Sequence, residues 1–360
     1  MNSIAHTDDL SAAGLERFDC IIDVRSPAEF AEDHLPGAIN LPVLSDEERA
    51  RIGTHYKQVS PFEARRMGAA LTARNIAHHV ETALSDRPKD FKPLIYCWRG
   101  GMRSNSMAMV LGAVGWRATL IKGGYRTWRE QVSAGLEAET PWPVILIDGQ
   151  TGTAKTKLLH ILASRGEQVI DLEGLARHRG SVFGGFASAE QPSQKAFDTQ
   201  LWTQMRELDL ERPVYVEAES RLVGRRRVPQ GLWDAMQSAP RLMIDAPVEA
   251  RAQHLLTAYP DLAENSAQLR DAIEGLKRFQ GGETISRWLQ LADADDFEPL
   301  AAELVQAHYD PAYDRARQRH QRDGAETILK TDALDDQSLD DLADRITAAA
   351  PSRHAQPAPG

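Results

Sequence analysis

The residue with the clearest chemical potential is Cys97, in the sequence YCWRGGMRS at 96–104. An apolar run predicts a strand before it, and 105–112 has a helical pattern after it. Loop amides and the positive end of the following helix both stabilise a thiolate. We therefore predict that Cys97 is a nucleophile with Arg99 and Arg103 as catalytic partners. A buried structural cysteine is the alternative, but burial alone does not call for two glycines and two arginines beside the thiol.

A second candidate site is a phosphate-binding loop after an apolar strand pattern at 144–147. The loop reads GQTGTAKT at 149–156, which matches G-x-x-x-x-G-K-[ST] except at Ala154. In this motif backbone amides wrap a phosphate, a lysine reaches its oxygens and a hydroxyl can hold a metal. A turn rich in glycine and threonine is the alternative. The residues predicted to bind a phosphate or diphosphate are Gly149, Gly152, Lys155 and Thr156.

Carboxylates follow a third apolar strand pattern, at 213–217. In phosphate-loop proteins the acid at such a strand end commonly faces the metal that accompanies the phosphates. Glu217 and Glu219 are therefore candidates for a metal ligand or an acid–base group, with solvated ends of a core strand as the alternative. Mg²⁺, which suits oxygen donors, is the candidate metal, and a site without a metal is the alternative.

Basic residues form two short runs in a chain whose net charge is −10. This acidic balance argues against a protein that coats nucleic acid by bulk electrostatics, although a local basic surface stays open. The first run is Arg177, His178 and Arg179, and the second is Arg221 with 225–227. Both are candidates for substrate or RNA contact, with solvated surface arginines as an equal alternative.

These candidate residues need elements to position them, and strand and helix patterns alternate along the chain. Strands are predicted at 20–24, 38–42, 94–96, 119–121, 144–148, 168–172, 213–217, 241–245 and 327–330. Such alternation predicts an α/β fold with parallel sheets covered by helices, active at the carboxyl ends of the strands. Cys97 and the phosphate loop each follow a predicted strand directly, as this rule requires.

The length of 360 residues predicts two domains. A polar, proline-bearing stretch at 138–143 is a predicted linker between domains at 1–137 and 144–349, and 350–360 is a predicted disordered tail. Two cysteines exclude a disulfide scaffold. With no export signal or membrane-spanning apolar run, the sequence favours a cytoplasmic protein without a membrane partner.

Several segments carry a family resemblance. DVRSPAEF at 23–30, HLPGAIN at 34–40 and the Cys97 loop together resemble a rhodanese domain. Joined to a phosphate-loop domain, the combination resembles the bacterial tRNA 2-selenouridine synthase family over essentially the whole chain except the tail. Further segments that fit this family are YKQVSPFEA at 56–64, KGGYR at 122–126, DLEGLARHRGS at 171–181 and HYDP at 308–311.

The resemblance implies an N-terminal rhodanese-like domain, a C-terminal P-loop NTPase-like domain with helical additions, and a two-step reaction on tRNA. Geranyl diphosphate first alkylates the sulfur of 2-thiouridine at the wobble position. Selenium from selenophosphate then displaces the geranylated sulfur, with Cys97 carrying selenium as a perselenide. Both donors are substrates, no tightly bound cofactor is expected, and an enzyme that supplies selenophosphate is an expected partner. Since neither step transfers a phosphoryl group to an acceptor, we predict that the phosphate loop binds geranyl diphosphate rather than ATP.

Three other functions stay open. The C-x5-R spacing from Cys97 to Arg103 also occurs in cysteine-dependent phosphatases, although no general acid is evident in the sequence. A rhodanese-type sulfurtransferase with a nucleotide-binding regulatory domain is a second alternative. A non-enzymatic nucleotide-binding module is the third, and the presence of the cysteine argues against it.

Overall fold

A computed structural model describes residues 4–178, 190–258, 266–319 and 324–349 of the chain. The chain divides into two compact units, Met1–Glu137 with Pro192–Thr203, and Ala138–Gln191 with Gln204–Gly360. Residues 192–203 therefore group with the first unit, although they fall in the sequence range predicted for the second domain. The predicted tail at 350–360 lies outside the described residues.

The first unit contains a five-stranded parallel sheet with the order β1-β5-β4-β2-β3. Its central strand, β4, is buried along its whole length, as expected for a parallel strand covered on both faces. The strands are β1 Ala5–Thr7, β2 Cys20–Asp23, β3 Ala38–Asn40, β4 Pro93–Tyr96 and β5 Thr119–Ile121. The helices are α1 Ala12–Leu15, α2 Pro27–Glu32, α3 Asp46–Gln58, α4 Pro61–Glu81, α5 Met102–Val114 and α6 Tyr125–Glu137.

The core of this unit joins the sheet to helices α4 and α5. Apolar side chains of the strands pack with Ile76 of α4 and with Met107 and Leu111 of α5. Helix α3 was not predicted from the sequence. It is a separate helix because Ser60 caps the next one, its side chain accepting from the Glu63 amide, and a proline occupies the first turn of α4.

The second unit contains a parallel sheet with the order β12-β11-β6-β8-β7 and a separate antiparallel hairpin, β9–β10. Its strands are β6 Val144–Gly149, β7 Gln168–Ile170, β8 Val214–Glu217, β9 Leu222–Val223, β10 Arg226–Arg227, β11 Arg241–Asp245 and β12 Glu326–Lys330. Its helices begin with α7 Lys155–Ser164, α8 Leu172–Ala176, α10 Gln230–Ser238 and α11 Val248–Ala258. Helix α9 spans Gln194–Met205, mostly within the first unit.

Two hydrophobic clusters among the described residues organise the second unit. One joins β6 and β11 to α7 and to the last described helix, α16 Asp336–Ala349, through residues such as Ile147, Leu158 and Ile346. The other lies among helices only, with Trp288 at its centre. It is formed by α12 Ser266–Gly275, α13 Gly282–Asp293 and α14 Phe297–Leu304, followed by a π-helical turn Val305–Tyr309 and α15 Asp310–Arg319. The predicted fold class, two parallel-sheet α/β domains with helical additions, is confirmed.

No helix among the described ranges combines the length and the apolar character needed to cross a bilayer.

Candidate active sites

The Cys97 loop connects the buried end of β4 to the N-terminus of α5. Cys97 is 3% exposed, and its carbonyl oxygen accepts a hydrogen bond of 2.8 Å from the Tyr125 amide. The next carbonyl, of Trp98, accepts one of 3.1 Å from the Arg126 amide. The KGGYR segment after β5 therefore holds the loop in place through the backbone.

Gly124 determines how closely these two loops approach. A Cβ atom at this position would lie 2.3 Å from the Cys97 carbonyl oxygen, and φ is +67°. We expect Gly124→Ala to destabilise the protein by at least about 3 kcal/mol, since backbone strain adds to a clash that only movement of the loop can relieve. Denaturant unfolding measures this loss.

The matched control for this variant is Gly37→Ala. Gly37 has a φ of +73°, but nothing lies where its Cβ would be. The Gly37→Ala substitution should therefore cost only about 1 kcal/mol of backbone strain. Equal destabilisation of the two variants would contradict a tight contact between the KGGYR segment and the Cys97 loop.

Opposing influences act on the Cys97 thiol, and the net result favours the thiolate. Burial raises the pKa of Cys97, but hydrogen bonds and the positive charge of Arg103 outweigh it and bring the pKa below its usual value. Sγ accepts from the Ser104 hydroxyl at 3.2 Å and from the Gly101 amide at 3.3 Å. The arrangement is that of an activated nucleophile.

Ser104 makes the largest of the contributions that lower the Cys97 pKa. We expect Ser104→Ala to raise this pKa and to slow alkylation of Cys97 by iodoacetamide at pH 7 about tenfold, because a hydrogen bond to a charged group contributes about 1.5–3 kcal/mol. The rate profile should move to higher pH. Ser106→Ala, two residues along α5, is the control, and equal profiles for both variants would contradict the assigned role.

Cys97 lies at a cleft of about 660 Å³. The side chain of Arg103 reaches across the cleft to Glu29 on α2, with 2.9 Å between Nη1 and Oε2. Arg49 of α3 approaches the same oxygen at 3.2 Å. The lining residues are Ala28, Glu29, Glu32, Arg49, Cys97, Trp98, Arg99, Gly101, Met102 and Arg103. The structure therefore places both predicted arginines at the cleft that holds the thiol and adds a third arginine that sequence reasoning missed.

Glu29 is the organising carboxylate of this cleft. Burial raises its pKa, but Arg103, the Ser26 amide and Arg49 together outweigh burial and lower it. Glu29 is thus an anion that holds two cations at the cleft. The sequence signal for it was the S-x-x-E pattern at 26–29, which forms a capping box at the start of α2. Nothing in that local pattern indicated that Glu29 also meets arginines from two other helices.

The indole of Trp98 contributes one wall of the cleft. Its ring centroid lies 5.2 Å from that of Tyr125, in a tilted arrangement, and Lys195 Nζ lies 5.9 Å from the Trp98 ring. Trp98 therefore packs within the unit and also faces the cleft.

The phosphate loop in the second unit has the predicted strand–loop–helix form. Ala154 adopts the left-handed conformation (φ 60°, ψ 27°) that glycine usually occupies at this point of the motif. Its methyl group is buried in the core next to α7. Lys155 begins α7 and its Nζ donates to the Gly149 carbonyl oxygen at 3.0 Å. The loop thus keeps its conformation without the second glycine, and the alanine is accommodated by strain of about 1–2 kcal/mol.

A buried arginine that the sequence did not single out braces this loop. Arg251 of α11 pairs with Asp310 at 2.7 Å and donates to the Thr151 carbonyl at 3.3 Å. A Cβ on Gly152 would lie 2.8 Å from the Arg251 carbonyl oxygen. Gly152 is therefore required for close packing of the loop on α11, and Asp310 lies in the HYDP segment noted in the sequence.

Carboxylates gather beside the loop. Thr156 Oγ1 donates to Glu173 Oε2 at 3.1 Å, and the Glu173 amide lies 3.4 Å from Glu217 Oε2. Burial, and then the nearby charge of Glu219, raise the pKa of Glu173 to about 8. Burial and the neighbouring carboxylates also raise the pKa of Glu217, whose Oε1 has no hydrogen-bond partner among the described residues. Glu173, which sequence reasoning did not select, belongs to this site.

The described residues contain no group of three or more His, Cys, Asp or Glu side chains arranged to hold a metal ion. The donors at the phosphate loop are nevertheless all hard oxygens, and one of them, Glu217 Oε1, is buried and unpaired within the described part of the chain. This donor set fits Mg²⁺ when a substrate phosphate completes the coordination.

The two basic runs lie close together in the second unit. Arg177 is the left-handed C-cap of α8, and Arg221 precedes β9 and donates to the Gln230 side chain. A Cβ on Gly224, in the hairpin turn, would lie 2.7 Å from His178 Cδ2. Arg179, the remaining predicted contact residue, lies outside the described residues.

Comparison with known proteins assigns each of the two sheet-containing regions to a family model. Residues 142–289 match the family described as tRNA 2-selenouridine synthase AAA domain, and residues 7–131 match the rhodanese-like domain. Curated proteins named tRNA 2-selenouridine synthase are similar over most of the chain. That of Chromohalobacter salexigens is 32% identical, covering 81% of this chain and 86% of the relative. That of Aeromonas salmonicida is 33% identical, with 87% and 91% covered.

Proposed function

Because the chain belongs to the tRNA 2-selenouridine synthase family, we propose that it replaces the 2-thio sulfur of a wobble uridine in tRNA by selenium. The resemblance inferred from the sequence is confirmed at the level of the family. The observation that best supports the reaction is the presence of two strand-end sites on one chain, an activated thiol in an arginine-lined cleft and a phosphate loop. Alkylation of sulfur and exchange of the chalcogen are different chemistries, and each site suits one of them.

The alkylation half is assigned to the phosphate loop. The sulfur of 2-thiouridine attacks C1 of geranyl diphosphate, a C–S bond forms, and the C–O bond breaks with its electron pair leaving on diphosphate. The uridine loses its N3 proton. Loop amides and Lys155 stabilise the negative charge that develops on the leaving group. Mg²⁺ held by Thr156 and Glu217 would neutralise further charge on the diphosphate when bound.

The selenium half is assigned to Cys97. Its thiolate attacks selenium of selenophosphate, so that an S–Se bond forms, the Se–P bond breaks and the electron pair leaves on phosphorus as phosphite. The terminal selenium of this perselenide attacks C2 of the alkylated base and displaces geranylthiol. A dithiol reductant then attacks Sγ of Cys97, so that the S–Se bond breaks and 2-selenouridine is released. The reductant closes to a disulfide and regenerates the Cys97 thiol. Arg99 and Arg103 hold the phosphorus oxyanion, and an enzyme that makes selenophosphate supplies the donor.

The phosphorus product tests this route. Attack on selenium yields phosphite, whereas attack on phosphorus yields S-phosphocysteine and hydrogen selenide and, after hydrolysis, phosphate. Phosphite formed in step with 2-selenouridine, read by ³¹P NMR, supports the perselenide. Phosphate as the sole product would show that the Se–P bond breaks at phosphorus, and would overturn formation of the perselenide by attack on selenium.

The function as a whole is tested by incubating the protein with 2-thiouridine tRNA, geranyl diphosphate, selenophosphate and dithiothreitol, followed by mass spectrometry of the nucleosides. Both S-geranyl-2-thiouridine and 2-selenouridine are expected. The alternatives are separated in the same preparation. Thiosulfate turnover without dependence on tRNA would favour a sulfurtransferase, and phosphate release from an aryl phosphate would favour a phosphatase.

A further inference from the structure

We propose that the β9–β10 hairpin binds RNA backbone phosphates through Arg225 and Arg227, at the rim of the phosphate-loop site. The inference rests on the proposed action on tRNA and adds to it a surface on which the RNA lies. Three observations support it: the register of the hairpin, its attachment to α8, and its position next to the carboxylates Glu173, Glu217 and Glu219.

The register of the hairpin decides which arginines face outward. Val223 pairs with Arg226, and Leu222 pairs with Arg227. Directly paired residues project from the same face of a two-stranded ribbon, and neighbours along a strand project from opposite faces. Val223 is fully buried whereas Leu222 is 53% exposed. Arg227 and Leu222 therefore share the solvent face, and exposed Arg225 lies in the turn.

One side chain fixes the hairpin to the end of α8. Gln191 Nε2 donates to the Ala176 carbonyl at 3.0 Å and to the Val223 carbonyl at 3.2 Å, while its Oε1 accepts from the Arg225 amide at 2.8 Å. The turn at Gly224 packs against His178 with no room for a side chain. The arginines are thus displayed on an anchored support, and Arg177 and His178 lie next to it.

The hairpin also lies beside the phosphate-loop site. It follows β8 after a short connection, and β8 ends at Glu217 next to the loop. The Glu219 carboxylate in that connection interacts electrostatically with Glu173 on one side and with His178 on the other. An RNA strand held by the hairpin would therefore pass close to the place where a diphosphate binds.

The chemistry of this surface fits a polyanion with apolar faces. Guanidinium groups bind phosphates in a bidentate manner, and they are the common partners of nucleic-acid backbones. Leu222, the cross-strand neighbour of Arg227, offers an apolar contact for a ribose or an unstacked base. Because the chain as a whole carries a net charge of −10, attraction of RNA depends on local clusters of this kind.

The test is the salt dependence of tRNA binding by the double variant R225Q/R227Q. Removal of one arginine–phosphate pair lowers the slope of log K against log salt by about 0.7–0.9. A decrease of about 1.5 is therefore expected for the double variant, with binding weakened at least about tenfold at low salt. R225K/R227K, which keeps both charges, should retain the slope. The full-length chain and tRNA containing 2-thiouridine are used throughout.

The matched control is R270Q/R287Q, which removes the same charge from surface pairs with Asp293 and Glu303. It should leave the slope unchanged. An unchanged slope in R225Q/R227Q, or equal losses in both double variants, would overturn the proposal. A loss of modification with unaltered tRNA binding would also overturn it.

Failure of the proposed function is distinguishable from failure of this inference. If the wild-type protein forms neither modified nucleoside but R225Q/R227Q still lowers the salt slope, the reaction is wrong and the RNA surface stands. If wild type forms both nucleosides and the double variant binds tRNA normally, the reaction stands and the surface is wrong.

Discussion

Cys97→Ala is expected to reduce formation of 2-selenouridine by at least about a thousandfold, because removal of a nucleophile eliminates the covalent step. S-geranyl-2-thiouridine should still form and should accumulate, since under the proposed division of labour its synthesis requires only the phosphate loop. The sulfur atom accepts hydrogen bonds from Ser104 and Gly101. Alanine removes this atom and its charge and adds no bulk to the loop. Mass spectrometry of nucleosides from tRNA treated with both donors measures the two products in one sample.

The control for this experiment is Cys20→Ala. Cys20 lies at the start of β2, away from the cleft lining, and burial raises the pKa of its thiol. It should therefore be unreactive, and its replacement should leave both products unchanged. Equal loss of both nucleosides in Cys97→Ala, with normal folding and tRNA binding, would refute the division of labour between the two sites.

Lys155→Met is expected to produce the opposite defect. Loss of a charged donor to the leaving diphosphate should slow S-geranylation by about 10²–10³-fold. Selenium transfer to tRNA that already carries S-geranyl-2-thiouridine should proceed at the wild-type rate, because Cys97 is intact. Supplying that tRNA directly, with selenophosphate and dithiothreitol but without geranyl diphosphate, separates the two halves of the reaction.

Lys157→Met serves as the matched control. Lys157 lies on the same helix two residues later but pairs with Asp336 at the surface, at 2.6 Å, so its loss should change neither rate. If Lys155→Met left geranylation intact while abolishing selenium transfer, geranyl diphosphate would not be the ligand of the loop. Binding of geranyl diphosphate measured by calorimetry provides the readout independent of turnover.

The candidate residues selected from the sequence are those that lie within a short local motif. Cys97, Arg103 and Lys155 each lie in a strand–loop–helix segment of about ten residues, where the conformation of the loop follows from its own glycines and flanking elements. Glu29 and Glu173 were missed for the opposite reason. Each lies on a helix whose local pattern is ordinary, and each acquires its role from partners on other elements.

At Ala154 the phosphate-loop motif predicted the strand–loop–helix form correctly, but it did not explain how an alanine fits where glycine is usual. The residue departs from the phosphate-loop pattern, and the sequence left the consequence open. In the structure it occupies the same left-handed conformation with its methyl group in the core. Burial of the methyl group and packing of the loop against Arg251 offset the strain, and neither can be recognised from the motif alone.

The sequence by itself determined the fold class and the positions of two candidate sites at strand ends, because strand–loop–helix geometry is encoded by neighbouring residues. Only the tertiary structure decided which charged side chains surround the central residues of these sites and which contacts hold them in place. The pairing of parallel strands, joined by long connections, brings Glu29, Arg49 and Arg103 to one cleft and Thr156, Glu173 and Glu217 to another. The tertiary structure likewise places Gln191 against the β9–β10 hairpin. Such contacts depend on which elements become neighbours, and that depends on the packing of the whole domain.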